Sequence, residues 1–74
     1  MEINDFIKKL ADSIEIENAS NLNENTIFRN LPEWSSLSVM LLIAFYDEEF
    51  GIEVGDKEIK NCQCIKDLYN LTQR

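Results

Sequence analysis

Trp34-Ser35-Ser36-Leu37-Ser38-Val39-Met40-Leu41-Leu42-Ile43-Ala44-Phe45-Tyr46-Asp47-Glu48-Glu49-Phe50-Gly51 carries both the start and the stop of a helix. Leu31-Pro32-Glu33 comes just before it. Proline restricts the residue that precedes it and brings no amide donor, so the helix is expected to open at Ser35 or Ser36. Gly51 is expected just past its C-terminus, where a left-handed residue is common. On a helical wheel Val39, Leu42, Ile43, Tyr46 and Phe50 share one arc, the expected core face. Leu37, Leu41, Ala44 and Glu48 form a second stripe well away from it. Exposed as a set, such residues mark an interaction patch; the plain structural alternative is that the long loop folds over part of it, particularly Met40 and Phe45.

Working outward, Ile3, Phe6, Ile7, Leu10, Ala11 and Ile14 recur at helical spacing between Asp5, Lys8, Lys9 and Asp12. That is an amphipathic first helix, capped by Asn4 or a residue just before it. From Glu15 to Glu33 the period fails and asparagine dominates at 18, 21, 23, 25 and 30. Asparagine bonds its own backbone in turns, so a long connection is expected. Leu22, Ile27, Phe28 and Leu31 are placed to pin it to a core, and it has room for a short helical turn.

After Gly51, Ile52-Glu53-Val54 reads as an extended link, and Asp56 as the cap of a brief helix through about Asn61. Ile65, Leu68, Tyr69 and Leu71 or Thr72 mark a last helix over 64 to 73. The fold expected is all-α: a small four-helix bundle with three principal helices, one short helix and a long loop between the first two. A β-rich fold needs alternating runs bounded by Gly or Pro, and this chain has two glycines and one proline.

A chain of 74 residues makes one domain, residues 1–74, with little room for an enclosed active site. Fourteen acids against seven bases give a formal charge of -7. That sign repels nucleic acid and anionic lipid, and favours protein partners with basic surfaces. No Lys or Arg lies between Arg29 and Lys57, while Glu33, Asp47, Glu48, Glu49, Glu53 and Asp56 do. The run Val39–Tyr46 is too short to cross a bilayer, and Met1-Glu2-Ile3-Asn4-Asp5 is unlike a signal peptide. A cytoplasmic monomer without membrane insertion is therefore expected.

Cys62 and Cys64, one residue apart in a chain without histidine, suit neither a mutual disulfide nor structural zinc, and reduced thiols are expected. Asp47-Glu48-Glu49 splays around a helix instead of converging on calcium. With no nucleophile–base pair and no Gly-rich phosphate loop, an enzyme is not expected, nor any metal site. The serine cluster has two readings. Ser35 or Ser36 can simply cap the helix. Alternatively, a helix N-terminus presents free N–H groups and the positive end of its dipole to a phosphate joined to serine.

Ser36-Leu37 at the mouth of a helix, Ile27-Phe28-Arg29-Asn30-Leu31 before it, Phe50-Gly51-Ile52-Glu53-Val54 and Asp56-Lys57-Glu58-Ile59 after it, and Cys64-Ile65-Lys66-Asp67-Leu68 at the last helix together resemble the acyl carrier proteins over essentially the whole chain. Each motif is short; their joint spacing is what is specific. The resemblance implies a stand-alone carrier with 4'-phosphopantetheine, donated by coenzyme A, esterified to Ser36. It implies acyl or aminoacyl groups held as thioesters for fatty acid, polyketide, nonribosomal peptide or related biosynthesis.

Its implied partners are a phosphopantetheinyl transferase and enzymes that load or use the acyl group. Leu37, Leu41, Ala44 and Glu48 would be the docking stripe. Cargo shelter is implied among Val39, Ile43, Ile59 and Leu68, near Cys62 and Cys64. The chain departs from the family where an acid usually precedes the serine, here Ser35, and often follows the leucine, here Ser38. Those acids help the transferase recognise its substrate. The alternative is a small acidic helical interaction module that is never modified and presents Leu37, Leu41 and Ala44 to a partner.

Overall fold

A computed structural model of the chain describes residues 1–16 and 19–73, Ala19 by its backbone alone. Four helices, α1 (Ile3–Ser13), α2 (Ser36–Phe50), α3 (Asp56–Lys60) and α4 (Ile65–Asn70), surround one core, and α4 runs on into a 3-10 turn at Leu71–Gln73. Two further 3-10 turns, Ala19–Asn21 and Phe28–Asn30, lie in the long connection between α1 and α2. The described residues form an all-helical small bundle, and their only β pairing is the isolated bridge between Ile27 and Cys64. None of the described helices is long and apolar enough to cross a membrane.

α1 buries Phe6, Ile7, Leu10 and Ala11, the stripe its spacing predicts. Its N-cap is Glu2, which makes no side-chain capping bond, so Asn4 has no such role. Glu15, with φ of 61°, takes the left-handed position that glycine usually fills, and the Ile16 N–H reaches back to the Ala11 carbonyl at 2.8 Å. At the end of α2 Gly51 does the same with φ of 63°. The Ile52 N–H then bonds the Tyr46 carbonyl at 3.1 Å and the Gly51 N–H that of Asp47 at 3.0 Å, which satisfies carbonyls the helix leaves orphaned.

The face that α2 buries differs from expectation. Ser38, Leu42, Phe45 and Tyr46 are buried, whereas Val39, Ile43 and Phe50 are only partly so. The reason is aromatic packing around Phe6 of α1. Its ring lies 5.8 Å from Phe45, 6.1 Å from Phe50 and 5.3 Å from Tyr69, within the range for favourable ring pairs. Phe45 is thus drawn into the core, 3% exposed and packed on the rings of Phe6 and Phe50. Met40 is 67% exposed, so the loop does not cover it. The Tyr46 hydroxyl, buried with its ring, donates to the Leu68 carbonyl of α4.

The long connection is pinned by Leu22 and Phe28, both buried, and by Leu31, half-buried; Ile27 is 43% exposed and does not serve as an anchor. Trp34 meets the Phe28 ring edge-on at 4.8 Å. Asparagine chemistry shapes the turn before it: the Asn25 N–H bonds Asn23 Oδ1 at 2.8 Å, and the Asn23 N–H bonds Thr26 Oγ1 at 2.9 Å. The backbone of this turn has a second use. The Ile65 N–H donates to the Thr26 carbonyl at 3.0 Å and the Lys66 N–H to that of Glu24 at 2.9 Å, so the loop itself satisfies the first amides of α4. The Arg29 guanidinium donates to the Ile59 and Lys60 carbonyls and holds the end of α3.

Candidate functional site

Three serines crowd the start of α2, and the structure gives them different work. Ser35 stands at the N-cap with extended backbone. Ser38 is 3% exposed; its Oγ accepts the Ser35 N–H at 3.0 Å and donates to the Glu33 carbonyl at 3.3 Å, which locks the chain's entry into the helix. Ser36, the first helical residue, is exposed, and its hydroxyl has no hydrogen bond among the described residues. Ser38, in the position of an expected surface acid, is buried and occupied with capping, so the missing charge there has a structural replacement.

Leu37, Leu41, Ala44 and Glu48 line one side of α2, as their spacing predicts. Leu37 is 57% exposed, and Ala44 and Glu48 are exposed, but Leu41 is half-buried and packs against the core. Among the described residues the large apolar side chain most open to solvent is Met40, one turn beyond Ser36; its helical position is on neither the expected core face nor the outer stripe. Further along the chain stand Asp47, Glu48 and Glu53, all exposed and without an ion pair among the described residues. Acids at a helix C-terminus oppose its dipole. Nearby bases thin the field elsewhere: Lys9 reaches Glu49 at 3.2 Å, and Lys60 reaches Asp56 at 3.4 Å.

Two surface clefts flank this side. One, of about 370 Å³, is lined by Ser36, Val39, Met40, Ile43, Asp56 and Lys60. The other, of about 590 Å³, is lined by Met40, Ile43, Ala44, Asp47, Gly51, Ile52 and Glu53. The interior shelter expected among Val39, Ile43, Ile59 and Leu68 is not an opening: Ile59 is 1% and Leu68 0% exposed, and neither lines these clefts. Val39 and Ile43 instead line the clefts that α2 forms with the link after Gly51 and with α3.

The remaining sequence candidates take structural roles. Both cysteines are free, Cys62 buried and Cys64 half-buried. Burial pushes the Cys62 thiol up from its ordinary value, with the charge of Asp67 adding to this, and Cys62 Sγ donates to the Glu58 carbonyl at 3.3 Å. Asp67 accepts the N–H groups of Gln63 at 3.0 Å and Cys64 at 3.3 Å. These backbone donors hold its carboxyl below the usual carboxylate range. Among the described residues no group of His, Cys, Asp and Glu is gathered as for a metal ion. Comparison with protein-family models, with curated proteins and with solved structures finds no match.

Proposed function

We propose that this chain is a carrier domain of the acyl-carrier kind, with Ser36 as the attachment site for 4'-phosphopantetheine. The observation that supports it most is the division of labour among the serines. Ser38 makes the capping bonds, so the helix does not need the Ser36 hydroxyl. A modifying enzyme would therefore meet an exposed alcohol at the positive end of a 15-residue helix, where a phosphodiester is electrostatically favoured. The residues fit the group: an accessible oxygen at a helix N-terminus and the Lys60 ammonium lining the adjoining cleft.

In the modification Ser36 Oγ attacks a phosphorus of the coenzyme A pyrophosphate. A P–O bond to serine forms, the P–O–P bridge breaks, and the nucleotide leaves as adenosine 3',5'-bisphosphate while the hydroxyl proton passes to base. When bound, the arm supplies a thiol on which an acyl or aminoacyl group rides as a thioester. The protein's own residues provide the address. Leu37, Met40 and Ala44 offer apolar contact, and Asp47, Glu48 and Glu53 offer charge to a transferase and to cargo-handling enzymes with matching apolar and basic surfaces.

A second reading, an unmodified interaction module, draws on the exposure of Leu37 and Met40, which can serve a partner without any prosthetic group. Intact mass after incubation with coenzyme A and a broad-specificity phosphopantetheinyl transferase separates the two. The carrier reading expects a gain of one phosphopantetheine that Ser36→Ala abolishes. A folded protein that gains nothing favours the interaction module.

A further inference from the structure

Building on the reading of Ser36 as the attachment site, we propose that the cargo end of the arm lies outside the bundle, in the surface groove that runs from Ser36 past Met40 to Ile52 and Glu53, and that this groove takes an amine-bearing acyl group. The interior offers no ready alternative. Phe6, Leu42, Tyr46 and Leu68 are fully buried, and rings from α1, α2 and α4 meet there at 5 to 6 Å. Cargo entering the core must displace packed side chains, at a cost the open groove does not carry.

The groove is continuous with the attachment point. Its two clefts share Met40 and Ile43, and Ser36 lines the nearer one. Val39, Ile43, Ala44 and Ile52 give apolar lining, and the farther cleft, about 590 Å³, lies within the roughly 300–1,000 Å³ of small-molecule sites. Eleven residues separate Ser36 from Asp47, a rise of about 16 Å along a helix. A phosphopantetheine arm of about fourteen bonds, advancing like an extended peptide, reaches about 17 Å. The far cleft is therefore where the thiol end falls when the arm follows α2.

Charge along the groove then selects the cargo. Among the described residues its one lining base is Lys60, at the Ser36 end and paired with Asp56, so that end is close to neutral; the far end is lined by Asp47 and Glu53 and by no base. A phosphodiester is tolerated at the near end, where the Lys60 ammonium can turn to it, and a protonated amine is attracted at the far one. A cargo ending in carboxylate is repelled, and a long alkyl chain in so open a cleft stays partly in water.

The test loads Ser36 with coenzyme A analogues carrying amide-linked 3-aminopropanoyl or butanoyl, groups of nearly equal shape that differ by one ammonium. Backbone amide shifts are then compared in wild type and in D47N/E53Q. The proposal expects shifts at Ala44, Asp47, Ile52 and Glu53 with the amine, and a groove-bound population favoured about fivefold over butanoyl, the upper worth of an exposed ion pair. The preference should vanish in the double variant. Shifts centred on Ile59 and Leu68, equal shifts with both cargoes, or none beyond the neighbours of Ser36 would overturn it while leaving the carrier reading intact. No mass gain at Ser36 of the wild-type protein would overturn both.

Discussion

Replacing Ser38 with alanine should weaken the fold, whereas replacing Ser36 should not. Ser38 Oγ is the partner of two backbone groups, the Ser35 N–H at 3.0 Å and the Glu33 carbonyl at 3.3 Å, and the residue is 3% exposed. Losing a capping side chain costs about 1 kcal/mol. Leaving a partly buried carbonyl without its donor adds up to about 1 kcal/mol more. For a domain of this size each kcal/mol lowers Tm by about 4 to 8 °C, so Ser38→Ala should melt about 4 to 16 °C below wild type. Ser36→Ala removes an exposed hydroxyl without a bond and should stay within about 0.5 kcal/mol of wild type. Thermal unfolding followed by circular dichroism at 222 nm reads both. Equal destabilisation by the two variants, or a larger effect at Ser36, would refute the assignment of capping to Ser38 and remove the reason for regarding Ser36 as free for chemistry.

Three other outcomes are expected. Tyr46→Phe removes a buried hydrogen bond to the Leu68 carbonyl, which keeps the Leu71 N–H as a donor, and should cost about 1 kcal/mol in urea unfolding, with the m-value unchanged. Gly51→Ala meets no atom within 4 Å but keeps a φ of 63°, so left-handed strain alone should cost about 1 kcal/mol; Gly55→Ala, at a φ of -97°, should lack that strain, and thermal unfolding compares them. Asp67 has a lowered folded pKa, so its contribution is present above the unfolded value near 3.9 and is lost as pH falls through the folded one. The acid limb of a stability-versus-pH curve should therefore flatten in Asp67→Asn, while the plateau above pH 5 drops.

Much of the architecture was legible because local chemistry and tertiary packing agree. The stripe of α1 alternates with charge, Gly51 closes α2, and Pro32 with the serines opens it. The orientation of α2 was not legible. Val39–Tyr46 is apolar on every side, so periodicity cannot choose a core face, and the decision falls to Phe6, a residue of another helix. The same contacts turn Phe45 inward and leave Met40 in solvent. The loop was recognisable by its asparagines, yet its use of the Glu24 and Thr26 carbonyls to finish α4 is a backbone property with no side-chain signature. At the site, sequence picked out Ser36 with its neighbours; the assignment of capping to Ser38 needed burial and hydrogen bonds, and the closed space between Ile59 and Leu68 needed packing.

The most direct test of the central claim is site-resolved mass spectrometry of the wild-type protein after incubation with coenzyme A and a broad-specificity transferase. Fragment ions should place a single phosphopantetheine on Ser36, with Ser35 and Ser38 unmodified. Modification at Ser35 or Ser38, or a folded protein that stays unmodified, would contradict the account.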